Sequence, residues 1–163
     1  MLPTIDELLA LDEITLRQHT EQAGDVFDVA QHRAILCKSV AISDVCPVRR
    51  GGELVAYAML RPESNACWFV GAFGIHPAHR AFAVVSEMFT QVAGVVARRR
   101  IRALRSHVYK TNRLSMAFHR RLGFRVTLEN DKAVEFYAGL DDLRNAYVMQ
   151  RFSVLSSEER RTS

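Results

Sequence analysis

Phe82, Val85, Met88, Phe89, Val92, Val95 and Val96 recur three and four residues apart, which places all seven on one stripe of a long helix. Such a stripe needs an apolar surface to lie on. The sequence supplies strand-like runs on either side of it, CWFVGAFGI at residues 67–75 and IRALRSHVY at 101–109. A second helix is predicted from Leu114, Ala117, Phe118, Arg121 and Leu122, capped by Thr111 or Asn112 and ended by Gly123. Phe124, Val126 and Leu128 then alternate as a strand, residues 133–137 extend or pair with it, and residues 146–152 read as a last one.

Upstream, Gly51 and Gly52 separate two strand-like runs and mark an antiparallel hairpin, because paired glycines enter the positive-φ turn that a tight hairpin requires. Residues 61–65 read as a turn, and Gly71 and Gly74 inside the next strand signal a bulge or a close backbone approach. Residues 4–11 form a short helix with the capping-box pair Thr4 and Glu7, residues 14–18 alternate weakly as a strand, and residues 22–37 hold one or two helices. Strands therefore flank a strand, helix, strand, helix, strand centre. The class is α/β or α+β, with a mixed sheet covered by helices.

A chain of 163 residues accommodates one domain, expected over residues 1–155, followed by a polar, flexible tail over 156–163. No apolar run approaches the ~18 residues of a membrane span, and the first residues lack a basic, then apolar, leader pattern. A cytoplasmic protein with no membrane partner is the expectation. Cys37, Cys46 and Cys67 are odd in number and have no C-x-x-C spacing, so neither a disulfide framework nor a metal site is expected. The net charge of +4 favours anionic partners, among them nucleotides, acidic small molecules and nucleic acid. Arg98, Arg99, Arg100 and Arg102 suit the negative end of the long helix, and no aromatic residues interleave them, so no nucleic-acid partner is expected.

Two segments together carry chemistry: FGIHPAHRAFAVVSEMF at residues 73–89 and NRLSMAFHRRLGF at 112–124. Their order and spacing resemble the acetyl-CoA-binding core of the GNAT N-acetyltransferase superfamily. Its first motif is a strand, a V-x-P-like turn, R-x-x-G-x-G/A and a helix; its second runs from Asn through a small residue and Tyr to L-G-F. The resemblance covers about residues 45–152. It implies a largely antiparallel mixed sheet of six to seven strands whose central pair splays apart, and an acyltransferase acting by direct attack of an amine on a thioester in a ternary complex.

By the same resemblance, Phe73 and Ile75 offer backbone groups to the pantetheine arm and an oxyanion N–H to the thioester, and Gly74 relieves crowding beside it. The pyrophosphate falls to Arg80 and the N–H groups of Ala81, Phe82, Ala83, Val84, Val85 and Ser86 at a helix N-terminus. Asn112, Ser115 and Phe118 line the arm. The family tyrosine that protonates the departing thiolate falls at His119, with Tyr109 in reserve, so these two are the catalytic candidates.

The loop departs from the motif, since Ala83 and Val85 stand at the glycine positions and close approach of phosphate is hindered. A plain strand-to-helix connector is the other reading of that loop. No acidic residue lies in 67–75 to act as base, which leaves His107, Glu63 and Asp44. The expected partners are acetyl-CoA as donor and a small-molecule primary amine, with no metal and with a homodimer open. A carrier-protein or longer acyl-CoA donor, or a non-catalytic acyl-CoA- or partner-binding module, are the alternatives.

Overall fold

Gly51 and Gly52 take φ angles of 57° and 88°, which side chains disfavour, and fold β1 (Asp44–Arg50) back onto β2 (Glu53–Ser64) as an antiparallel hairpin. The computed structural model describes residues 1–64 and 66–145. β2 pairs with antiparallel β3 (Cys67–Ile75), and the chain then crosses through α3 (Phe82–Arg99) to β4 (Ala103–Tyr109), which lies parallel to β3. α4 (Arg113–Arg121) leads to β5 (Arg125–Glu129), and β6 (Ala133–Gly139) returns between β4 and β5. Among the described residues the sheet has six strands, ordered β1-β2-β3-β4-β6-β5.

Helices cover the sheet on both faces at β2, and residues 55–60 are consequently all buried. On one face α1 (Ile5–Gln22) and α2 (Val29–Ala41) set Leu8, Leu9, Leu11 and Leu36 against Tyr57 and Met59. On the other, Val84, Met88 and Val95 of α3 and Met116 of α4 pack with Ala56, Ala58, Leu60 and Phe136. The expected stripe of α3 is thus a core face.

The buried Asp12 locks the first face. It accepts hydrogen bonds from the Tyr57 hydroxyl and from His32 Nε2, both at 2.7 Å, and so ties α1 to β2 and α2. Burial, and then the charge of Asp12, push the Tyr57 hydroxyl pKa upward, so the phenol stays the donor.

Two expectations are corrected. Residues 14–18 are not a strand but the middle of α1, where the Glu13 and Arg17 ion pair and the Thr15 hydroxyl bond to the Leu11 carbonyl (3.0 Å) carry the helix through. Residues 61–64 continue β2 rather than turning, because Arg61 and Pro62 pair with Phe69 and Trp68. The short α5 (Leu140–Asn145) was not foreseen. The strand expected at 146–152 and the tail at 156–163 lie outside the described residues. No helix among the described residues is long and apolar enough to cross a membrane.

Candidate active site

β3 and β4 are paired over only four positions, the last being Val70 with Ser106. Beyond that vertex they part, although β3 runs on to Ile75 and β4 to Tyr109. The cause is visible in the β2–β3 register: Met59 pairs with Ala72 and Leu60 with Val70, so Gly71 is an extra residue. A bulge bends its strand. Here the bend falls where β3 leaves β4, and the edge of β3 over residues 71–75 has no partner strand among the described residues.

A cleft of about 210 Å³ opens at the wide end of this V. Eight of the residues expected to hold the donor line it: Phe73, Gly74, Ile75, Arg80, Val85, Asn112, Ser115 and Phe118. Asn112 also caps α4, its side-chain oxygen accepting from the Ser115 N–H at 3.1 Å, so one residue sets both the helix and the wall. A Cβ at Gly74 would stand 3.4 Å from Thr15 Oγ1 and 3.8 Å from Tyr57, which is ordinary contact on the α1 side. Sequence reasoning missed Thr15, Leu16 and His19 of α1, which close the cleft from above. The strand predicted over 14–18 hid the first two, and the i, i+4 spacing of Thr15 and His19 was the available signal. His19 Nδ1 is buried and has no hydrogen-bond partner among the described residues.

Of the other expected phosphate residues, Val84 is core and its N–H, like that of Val85, bonds the Ala81 carbonyl (3.1 and 3.2 Å). Ala81, Phe82 and Ala83 are exposed at the start of α3, and Ser86 lies half-buried in its second turn. No side chain caps this helix and its first turn holds no acid, so its positive end is left uncompensated. His76 instead stabilises the preceding 3-10 turn, with Nδ1 accepting from the Ala78 N–H at 3.1 Å.

Successive residues of β4 face opposite ways, and the two faces differ sharply at the vertex. Ser106 faces α4, where its hydroxyl lies 3.1 Å from His119 Nε2 while His119 Nδ1 lies 2.8 Å from the Ser115 carbonyl. A carbonyl only accepts, so Nδ1 carries the proton and Nε2 accepts from Ser106. The ring is buried, stacked on Phe136 at 4.9 Å. Burial lowers the His119 pKa against the opposing pull of the Ser115 carbonyl, and the imidazole is neutral at pH 7.

Arg105, His107 and Tyr109 face the other way. Glu135 of β6 gathers the first two, accepting from Arg105 at 2.6 Å and from His107 Nε2 at 3.2 Å, and it accepts from Thr127 at 2.8 Å as well. Burial would raise the Glu135 pKa, but the Thr127, His107 and Arg105 hydrogen bonds together hold it below the usual carboxylate value. Glu63 pairs with the same Arg105. Tyr109 donates to Asp25 in the α1–α2 connection at 2.8 Å, and its pKa is raised by burial and by that carboxylate. Of the three candidate bases, His107 and Glu63 therefore share the Arg105–Glu135 network beside the vertex, whereas Asp44, on the edge strand β1, is bound to Arg99. Cys37, Cys46 and Cys67 are unpaired.

A bulged strand diverging from a parallel neighbour, with a helix N-terminus at the wide end, defines an acyltransferase-type α/β fold. The acetyltransferase (GNAT) family model matches residues 8–124, and the chain belongs to this family of acyl-CoA-dependent N-acetyltransferases. Solved structures agree in fold. PaiA N-acetyltransferase from Thermoplasma acidophilum, in complex with coenzyme A, superposes with a TM-score of 0.64 at 9% identity, covering 83% of this chain and 92% of that one. The ribosomal-protein-alanine N-acetyltransferase of Brucella melitensis gives 0.57 at 17% identity (83% and 94% covered). An aminoglycoside 6'-acetyltransferase type Ii gives 0.64 at 14% (83% and 88% covered). No curated protein matches the sequence significantly.

Proposed function

We propose that this protein transfers the acetyl group of acetyl-CoA to a primary amine of a small molecule, by direct attack in a ternary complex. The observation that carries it is the open β3 edge over residues 71–75, which faces the cleft at the wide end of the V. The donor lies along that edge, with Phe73 and Ile75 offering backbone groups and an N–H polarising the thioester carbonyl. Arg80 and the uncapped start of α3 take the pyrophosphate. The coenzyme A bound to PaiA supports this donor.

The amine comes from the opposite face, where His107 is the base. Its Nε2–H donates to Glu135, which leaves the Nδ1 lone pair to take the ammonium proton as the N–C bond forms and the C–S bond breaks. One imidazole suits an amine of modest basicity. Deprotonating a lysine amine at pH 7 costs roughly 4.6 kcal/mol, against about 1 kcal/mol for an α-amine.

His119 serves the leaving thiolate from the other side of the vertex. Being neutral, it acts through Ser106. In the other neutral tautomer, with the proton on Nε2, the Ser115 hydroxyl 3.3 Å away donates to Nδ1 and the Ser106 hydroxyl is released to hydrogen-bond the departing sulfur, which takes its proton from water while His107 passes the amine proton to water. Tyr109, committed to Asp25, belongs to the acceptor side.

Thermal shift with acetyl-CoA and with CoA, followed by an amine panel read by thiol release, tests the proposal. Both ligands should raise the melting temperature, since a ligand held only by the folded state stabilises it. No shift at saturating acetyl-CoA would sink it.

A further inference from the structure

On the α3 and α4 side of the vertex lies a second and larger cavity, of about 490 Å³. Val70, Leu104, Val92, Val96, Leu122 and Leu143 make most of its wall apolar, and Arg100, Arg102 and Arg144 also line it. Phe73 and Phe118 belong to its wall and to the donor cleft alike. With Phe89 they form a cluster whose ring centroids lie 5.2 to 5.7 Å apart, so the turn of one ring joins the two spaces. His119 stands in the wall with both nitrogens engaged, and no unmet hydrogen bond of that ring faces an occupant.

An acetyl group has no use for this volume. Apolar cavities stay dry and take apolar ligands. From the vertex at Ser106 back to Arg102, the residue before β4, is four residues, about 13 Å at the usual strand rise, the reach of a chain on the order of eight to ten carbons.

We infer that this cavity receives the acyl chain of a medium-chain acyl-CoA, so that the protein's donors extend beyond acetyl-CoA. The inference rests on the assignment of the donor cleft above. The chemistry is unchanged: the amine gains the acyl group, the C–S bond breaks and CoA leaves as the thiol.

The test compares kcat/KM of the full chain for acetyl-, butanoyl-, hexanoyl- and octanoyl-CoA on one amine, by thiol release, with competition binding of octanoyl-CoA against CoA. Burial of each methylene contributes about 0.8 kcal/mol, so the series should rise about fourfold per methylene until the cavity is full, and octanoyl-CoA should bind at least tenfold tighter than CoA. Val92→Trp and, separately, Leu143→Trp should flatten the series while leaving acetyl-CoA turnover within about twofold. A flat or falling series with equal binding of octanoyl-CoA and CoA overturns the inference and leaves the donor cleft standing. A rising series that both tryptophan variants preserve also overturns it, because the chain then lies elsewhere. If no CoA ester binds or turns over, the donor cleft itself is wrong and the inference falls with it. Should both variants fail to fold, the binding ratio decides.

Discussion

The two faces of β4 at the vertex are built from opposite materials. Ser106 looks into an apolar layer with a buried neutral histidine behind it, and His107, the next residue, joins Arg105, Glu135 and Thr127 in a charged network. One residue of strand separates a dry side from a wet one. A thioester needs the first, to keep water from the acyl group, and an amine needs the second, to lose its proton.

If that division is functional, the largest loss should come from His107→Gln, which removes the base but not the fold. We expect kcat/KM for the amine to fall about 10²- to 10⁴-fold with donor affinity and melting temperature unchanged. Unaltered turnover would show that the wet face is only a solvated surface. Glu135→Gln keeps the shape and removes the charge that holds His107. Since hydrogen bonds to charged groups are worth about 1.5–3 kcal/mol, turnover should drop roughly ten- to a hundredfold, and an altered pH profile would distinguish positioning of the base from a structural role.

Val85→Gly probes the phosphate end of the dry side. Donor affinity should rise several-fold in equilibrium binding, while stability falls by about 0.5–1 kcal/mol because glycine loses more entropy in a helix. The smallest effect concerns stability and pH. Burial holds His119 below its ordinary pKa of 6.5, so the unfolded chain takes up that proton first. The stabilisation is complete above pH 6.5 and is lost as pH falls from there through the lower folded value. Melting temperature should decline over that window, and His119→Gln should remove that part of the decline; an unchanged slope would place the titrating group elsewhere.

Periodicity and turn chemistry were enough to find the hairpin at Gly51 and Gly52, the bounds of β3 and the long α3, and to narrow the cap of α4 to Thr111 or Asn112, because each is decided within a few residues. The short run 14–18 failed for the opposite reason. Its weak alternation was overruled by the i, i+4 pairing of Glu13 with Arg17 and by the packing of α1 on the sheet. With it went two lining residues of the cleft, Thr15 and Leu16.

His119 shows the same limit at the site. Its motif position was readable, but its protonation state was not, since that depends on Phe136 and Ser106, which approach from other strands. The base was legible only as a choice of three. Glu63, Asp44 and His107 are equivalent on paper, and it took the sheet to bring two of them to the vertex and send the third to Arg99.

What the sequence by itself determined is the order of elements from the hairpin at Gly51 and Gly52 to β5, the position of the two motifs and the absence of glycine from the phosphate loop, all of which are local or counted along the chain. The vertex at Val70 and Ser106, the bulge that opens it, the neutral state of His119, the pairing of His107 with Glu135 and the apolar cavity behind Phe73 and Phe118 were decided by tertiary structure alone. Each depends on groups far apart in sequence meeting at one point, and on the loss of water there, which no single segment of the chain encodes.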